Sequence, residues 1–174
     1  GLAAKYLSRK DSKILALIGS GWQAGSQAMA FCAVRNFEEV HVYSPNADHR
    51  ESFCKEMGPQ LKVKMIPVKS VEDAIQGADI IAAATSSMVP VLKKEWLRPG
   101  IHVSAIKKQE ISWEVISGCN LFFLHINQIF TQTNYFMESD KETYLEVERG
   151  WWFEKKEEIS VRKSIPDMGD LVTG

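Results

Sequence analysis

Ile14-Leu15-Ala16-Leu17-Ile18-Gly19-Ser20-Gly21-Trp22-Gln23-Ala24 carries an apolar run into a glycine turn, and the turn opens a helical pattern from Gln23 to about Val34. A buried strand that passes through glycines into a helix is a phosphate site by construction. The first glycine permits the sharp turn, the second lets backbone approach a pyrophosphate, and a small third residue, here Ala24, keeps the helix close to the sheet. The unpaired N–H groups and the positive dipole end of that helix face the anion. The pattern predicts dinucleotide binding through Gly19, Ser20, Gly21, Trp22, Gln23 and Ala24. Glycines of a purely structural turn are the competing reading.

Composition narrows the field without naming a chemistry. The 174 residues are 45% hydrophobic and 25% charged, ordinary for one globular domain. A formal net charge of -1 offers no electrostatic footprint for nucleic acid or an anionic membrane. The longest apolar stretches fall far short of the roughly 20 residues of a membrane helix, and no signal peptide is present, so a cytoplasmic protein is expected. Cys32, Cys54 and Cys119 are widely spaced, with no metal-ligand spacing; three buried, reduced thiols and no metal site are expected.

Further apolar runs alternate with helical stretches. Strands are predicted at Val40 to Tyr43, Val63 to Val68, Asp79 to Ala84 and Ile101 to Ser104, with a sixth at Leu121 to Leu124. Helices are predicted from about Asp48 to Met57, ended by Gly58-Pro59, and from Val71 to Gln76, capped by Ser70 and stopped by Gly77. Crossovers of this length give a parallel sheet with helices on both faces, the doubly wound α/β (Rossmann) architecture. Ligands of such sheets bind outside the carboxyl ends of the strands. The residues to watch are therefore Gly19 to Gln23, Ser44 to Asn46, Ala84 to Ser87 and Ala105 to Lys108.

The end of the second strand bears on which cofactor is held. A fold that prefers NAD usually places Asp or Glu there, about 20 residues past the glycines, on the ribose hydroxyls. This chain has Ser44-Pro45-Asn46, with His49 and Arg50 within reach of the same corner. Serine does not repel a 2'-phosphate and its hydroxyl can donate to one, and arginine pairs with phosphate through two N–H groups, which favours NADP over NAD. Arg50 also reads as a solvated helix-surface residue.

The remainder, from residue 127 to 174, differs in character. A helix is conceivable at Thr143 to Arg149, and Gly150-Trp151-Trp152-Phe153 forms an aromatic knot before a mixed-charge run. Partner or inter-domain packing and internal core are both readings of that knot.

The wider pattern is more specific. Ala3-Ala4-Lys5-Tyr6-Leu7 precedes the first strand, and Gln27-Ala28 follows the glycine turn. Val42-Tyr43-Ser44, Ala78-Asp79-Ile80-Ile81, Ala84-Thr85-Ser86-Ser87, Pro90-Val91-Leu92 and Trp96-Leu97-Arg98-Pro99-Gly100 continue it. Together they resemble the ornithine cyclodeaminase/mu-crystallin family over about Leu2 to Glu114, and again at Met168 to Gly174. The resemblance implies an NAD(P)-dependent protein acting on amino, imino or keto acids, by cyclodeamination or NAD(P)H-dependent reduction, or an NADPH-binding crystallin without turnover. It also implies a second domain that forms a homodimer and holds substrate. Most of that domain is absent from these residues, so a fragment is expected. Thr85-Ser86-Ser87 resembles the segment lining the nicotinamide side, and Ala84, Thr85, Ser86 and Ala105 are expected to contact the cofactor there; strand capping by the hydroxyls is the alternative. Members usually carry a glycine and then an acid after the fifth strand. Here the stretch is Ile106-Lys107-Lys108-Gln109-Glu110, where the acid is missing from its expected place and Glu110 lies a few residues late, so no catalytic residue is carried over. Lys107 and Lys108 read as surface lysines, or as contacts for a substrate carboxylate or a cofactor phosphate.

Overall fold

A computed structural model describes residues 1–121. The chain order is α1 (Leu2–Leu7), β1 (Ile14–Ile18), α2 (Trp22–Cys32), β2 (Glu39–Tyr43), α3 (Ala47–Leu61), β3 (Lys64–Pro67), α4 (Val71–Ile75), β4 (Ile80–Ala83), a 3-10 turn (Lys94–Trp96), β5 (His102–Ala105), a second 3-10 turn (Lys108–Glu110) and α5 (Trp113–Ser117). Residues 122–124 of the expected sixth strand, the expected helix at 143–149 and the aromatic knot at 150–153 lie outside the described residues, as does the expected second segment, 127–174.

All five strands pair in parallel, in the order β3-β2-β1-β4-β5, so the expected Rossmann-like sheet is present. The period of two along each strand sorts the core into two layers. Leu15 and Leu17 of β1, Val40 and Val42 of β2, and Ile80 and Ala82 of β4 pack with Ala24, Ala28 and Phe31 of α2 on one face. Ala16 and Ile18 of β1 and Ile81 of β4 point to the other face, where Ala74, Ile75, Leu92, Val115 and Ile116 cover them. Both faces of β1 are closed, which explains a strand apolar at every position. Each fully buried Leu or Ile there contributes about 1.5–3 kcal/mol.

Two expectations change. The helix expected to stop before Gly58-Pro59 runs on to Leu61. Pro59 is exposed, as is Lys55, whose carbonyl would have accepted the missing N–H, so the vacancy falls on the solvent side. Gly58 packs against the start of β3: a Cβ there would lie 3.4 Å from the Val63 carbonyl oxygen. Lys62 in the left-handed region (φ 53°) ends the helix, with its N–H on the Gly58 carbonyl. Of the cysteines, Cys54 is buried, whereas Cys32 and Cys119 are only half-buried. Among the described residues, no helix is long and apolar enough to cross a membrane.

Candidate functional site

Three backbone bonds just past the strand ends bring the expected loops side by side. Gly19 donates to the Tyr43 carbonyl at 2.7 Å, Ala84 to Ile18 at 2.8 Å, and Ile106 to Ala83 at 3.2 Å. The glycine turn, the Ser44–Asn46 corner, residues 84–87 and residues 105–107 therefore share the carboxyl edge of the sheet. Their common edge follows from parallel pairing, because every strand ends on the same side.

The two glycines of the turn differ physically. Gly19 has φ +122°, and a Cβ on it would overlap the Ala84 carbonyl oxygen, so its lack of a side chain serves the protein's own packing. Gly21 is the N-cap of α2, at an ordinary φ of -89° with no side-chain cap. A Cβ on Gly21 would meet nothing within 4 Å. The space beside it is open, and α2 begins there. The first bond of that turn runs from Gly25 N–H to Gly21 C=O at 3.2 Å, so the amides of Trp22, Gln23 and Ala24 precede the helix's own ladder. Trp22 and Gln23 are exposed, Trp22 to 89%, while Ala24 is fully buried against the sheet.

A chain of hydroxyls joins this turn to the end of β2. Ser20 Oγ donates to Ser44 Oγ at 2.8 Å, and Ser44 Oγ donates to the Asn46 carbonyl at 3.1 Å. The buried Ser44 proton is thus directed at backbone. Asn46 caps α3, its Oδ1 accepting the His49 N–H at 3.0 Å, and Pro45 is exposed beside it. Arg50 Nη1 donates to the Ser44 carbonyl at 3.0 Å, which anchors the guanidinium at that corner and makes it more than a loose surface cation.

On the other side of the turn, hydroxyls act as local caps. Thr85 Oγ1 accepts the Ser87 N–H at 3.0 Å, and Ser87 Oγ donates to the Val89 carbonyl at 2.7 Å. Ser86 and Ala105 are exposed at this edge, and Ala84 is buried. Lys107 Nζ donates to the Ser87 carbonyl at 2.9 Å, so it bridges the two loops. Glu110 is fully buried, and its carboxylate accepts the N–H groups of Thr85, Ile106 and Lys107 at 2.5, 3.0 and 2.9 Å. In the sequence, Glu110 lies a few residues past the family's place for an acid. The structure turns it inward onto backbone.

At the opposite, amino edge sits a charged hub that sequence reasoning did not single out. Asp79 accepts N–H bonds from Lys13 (2.7 Å) and Ile14 (3.1 Å), and pairs with Arg9 (2.5 Å) and Arg98 (3.1 Å). Burial raises its pKa, but those amides and guanidinium groups together outweigh it and hold the carboxyl below the usual range. A cleft near this edge is lined by Lys10, Lys13 and Arg35. Arg35 is spent there on the carbonyls of Ala4, Lys5 and Ser8, closing the end of α1. That edge is structural, and the open ground lies at the glycine turn.

A family model described as ornithine cyclodeaminase/mu-crystallin family matches residues 1–174. The chain belongs to that family. Among solved structures it is similar to the Delta(1)-pyrroline-2-carboxylate reductase of Thermococcus litoralis, in complex with NADH and L-proline, at 36% identity and TM-score 0.67 over 70% of this chain and 39% of that one. The iminosuccinate reductase of Paracoccus denitrificans, in complex with NAD+, is 27% identical with TM-score 0.63 over 70% of this chain and 39% of that one. An ornithine cyclodeaminase of Agrobacterium tumefaciens is 32% identical over 129 residues, covering 70% of this chain and 36% of the relative. The chain spans well under half the length of these family relatives.

Proposed function

We propose that this chain is the dinucleotide-holding domain of an NAD(P)-dependent, ornithine cyclodeaminase-like enzyme that acts on an amino, imino or keto acid. The open space beside Gly21, at the start of α2, carries the reading. A methyl group would fit there without touching the protein, so the missing side chain serves something other than packing. A pyrophosphate fills that role, with the amides of Trp22, Gln23 and Ala24 as donors and the helix dipole behind them. Gly19 and Ser20 shape the turn. The ribose of the adenine half lies toward Ser44, Pro45 and Asn46, and the nicotinamide half toward Ala84, Thr85, Ser86 and Ala105. Family relatives solved with NADH and NAD+ support the same cofactor class.

When bound, the cofactor donates or accepts a hydride at its nicotinamide ring. The residues of this chain bind it, orient it and exclude water on the sheet side. The β2 end bears on the choice between NADP and NAD. Ser44 presents no negative charge, and its hydroxyl is already committed to Asn46. Arg50, tethered through one nitrogen, is the cation at hand for a 2'-phosphate, which favours NADP. Substrate grip and homodimer formation belong, in this proposal, to residues beyond those described. A cytoplasmic setting belongs to the same proposal.

A second reading is a mu-crystallin-like NADPH-binding protein without turnover. The inward-turned Glu110 favours it, because it lends no acid to a substrate at the nicotinamide edge. Titrating the chain with NADPH and NADH, followed by quenching of the exposed Trp22, tests the shared binding step. No saturable binding of either would refute both readings. Reduction of pyruvate or a cyclic imine by the full-length protein selects the enzyme, and binding without turnover selects the crystallin-like protein.

A further inference from the structure

We propose that Glu110 is a positioning residue for the nicotinamide half of the site, holding the carboxyl ends of β4 and β5 in the shape the ring lies against; this rests on the dinucleotide reading above. The argument begins with one peptide unit, that between Ala84 and Thr85. Its oxygen faces Gly19 so closely that no Cβ is tolerated there, and its N–H donates to Glu110 Oε1 at 2.5 Å. The unit is therefore held from both sides. Flipping it would turn a carbonyl oxygen toward the carboxylate and an N–H toward Gly19, losing a bond to a charged acceptor and setting two oxygens against each other.

The second oxygen of Glu110 works on the neighbouring strand. Oε2 accepts the Lys107 N–H at 2.9 Å and the Ile106 N–H at 3.0 Å, the latter shared with the Ala83 carbonyl at 3.2 Å. One buried side chain thereby ties the end of β4 to the end of β5. The backbone of Glu110 adds to the tie, accepting the Val91 N–H at 3.0 Å and donating to the Lys107 carbonyl at 3.2 Å. Lys107 Nζ on the Ser87 carbonyl closes the same seam. A carboxylate fully removed from water is costly unless its lone pairs are met, and here three backbone donors meet them. Plain strand packing does not require such an arrangement, since β1, β2 and β3 end without a buried acid. It occurs where the floor of the nicotinamide half is expected.

Glutamine keeps the size of the side chain but offers one acceptor oxygen, and its NH2 group faces an N–H donor. In Glu110→Gln at least one of the three amides loses its partner. The test compares NADH with ADP-ribose, which lacks the nicotinamide ring. For the wild-type chain both bind, and Glu110→Gln is expected to weaken NADH about tenfold while ADP-ribose changes less than twofold. Equal losses for the two ligands, or no loss for either, would overturn this inference while leaving the dinucleotide reading intact. Failure of the wild-type chain to bind either ligand would overturn both. Should the variant not fold, amide hydrogen exchange on the wild-type chain decides. Thr85, Ile106 and Lys107 are expected to exchange as slowly as β1 amides, and exchange as fast as that of the exposed Ser86 would overturn the inference.

Discussion

Gly21→Ala and Gly19→Ala make the same chemical change two residues apart, and the structure assigns them opposite consequences. At Gly19 the φ of +122° alone costs an alanine about 1–3 kcal/mol. The overlap of its Cβ with the Ala84 carbonyl forces β1 and β4 apart besides. A loss of about 3 kcal/mol or more is expected, which for a chain of this length lowers the melting temperature by about 10 °C. At Gly21 the new methyl meets nothing, and φ is ordinary. Alanine is a poorer N-cap than glycine by about 0.5–1 kcal/mol, but the stiffer unfolded chain returns about 0.4–1 kcal/mol. Stability should hold within about 0.5 kcal/mol. The methyl instead occupies ground proposed for the pyrophosphate. Losing one charge-assisted amide–phosphate bond, about 1.5–3 kcal/mol, weakens affinity about 10- to 150-fold. Thermal denaturation and NADH titration of the two variants read the two effects separately. A folded Gly21→Ala variant with wild-type NADH affinity would refute the placement of the phosphates. Equal destabilisation by both substitutions would refute the distinction between the glycines.

Arg50→Ala should weaken NADPH about tenfold and leave NADH within twofold, because the removed cation is the one proposed to pair with the extra phosphate; parallel titrations check this, and equal changes would reject the NADP assignment. Asp79→Asn should cost about 3 kcal/mol, leaving Arg9 and Arg98 without their shared carboxylate, while nucleotide affinity in the folded variant stays unchanged because the hub lies at the far edge. Urea unfolding and NADH titration decide the pair, and a lowered affinity would contradict the separation of the two edges. His102 should make stability pH-dependent. Burial foremost, and then the guanidinium of Arg35, push its imidazole from 6.5 down to about 4. The unfolded chain therefore binds its proton first as pH falls. Stability from this residue is fully present above about pH 6.5 and is lost toward pH 4, by about 3 kcal/mol at most. Asp79, its pKa lowered in the fold, contributes above its unfolded value of 3.8 and loses that contribution only as pH falls further, so the two windows separate. Unfolding midpoints from pH 7 to 4 should fall in the wild type and flatten in His102→Gln; matching slopes would exclude His102 as the source.

Much of the architecture was legible because it rests on local pattern. Ile14 to Ile18 is apolar at every position, and only a strand covered on both faces tolerates that; the alternation with helices then forced a parallel sheet. Ser70 as a cap and Gly77 as a stop are likewise local, since each acts on backbone within a few residues. The end of α3 departs from its local signal for the same reason. Gly-Pro is a stop signal only when the neighbouring chain leaves the helix nothing to gain, and here β3 packs on Gly58.

By itself, then, the sequence determined the fold class, the family pattern and which loops share the carboxyl edge of the sheet, because strand periodicity and turn chemistry act over short distances and helical crossovers force parallel pairing. Only the tertiary structure decided what individual side chains do at that edge. Residues far apart in the chain compete for the same polar partner: Ser20, 24 residues upstream, donates to the Ser44 hydroxyl whose proton goes to the Asn46 carbonyl, and Thr85 places its N–H on Glu110, 25 residues away. A hydrogen bond is settled by which donor reaches an acceptor in space, and that distance is written in the packing of the sheet, not in the spacing of the letters.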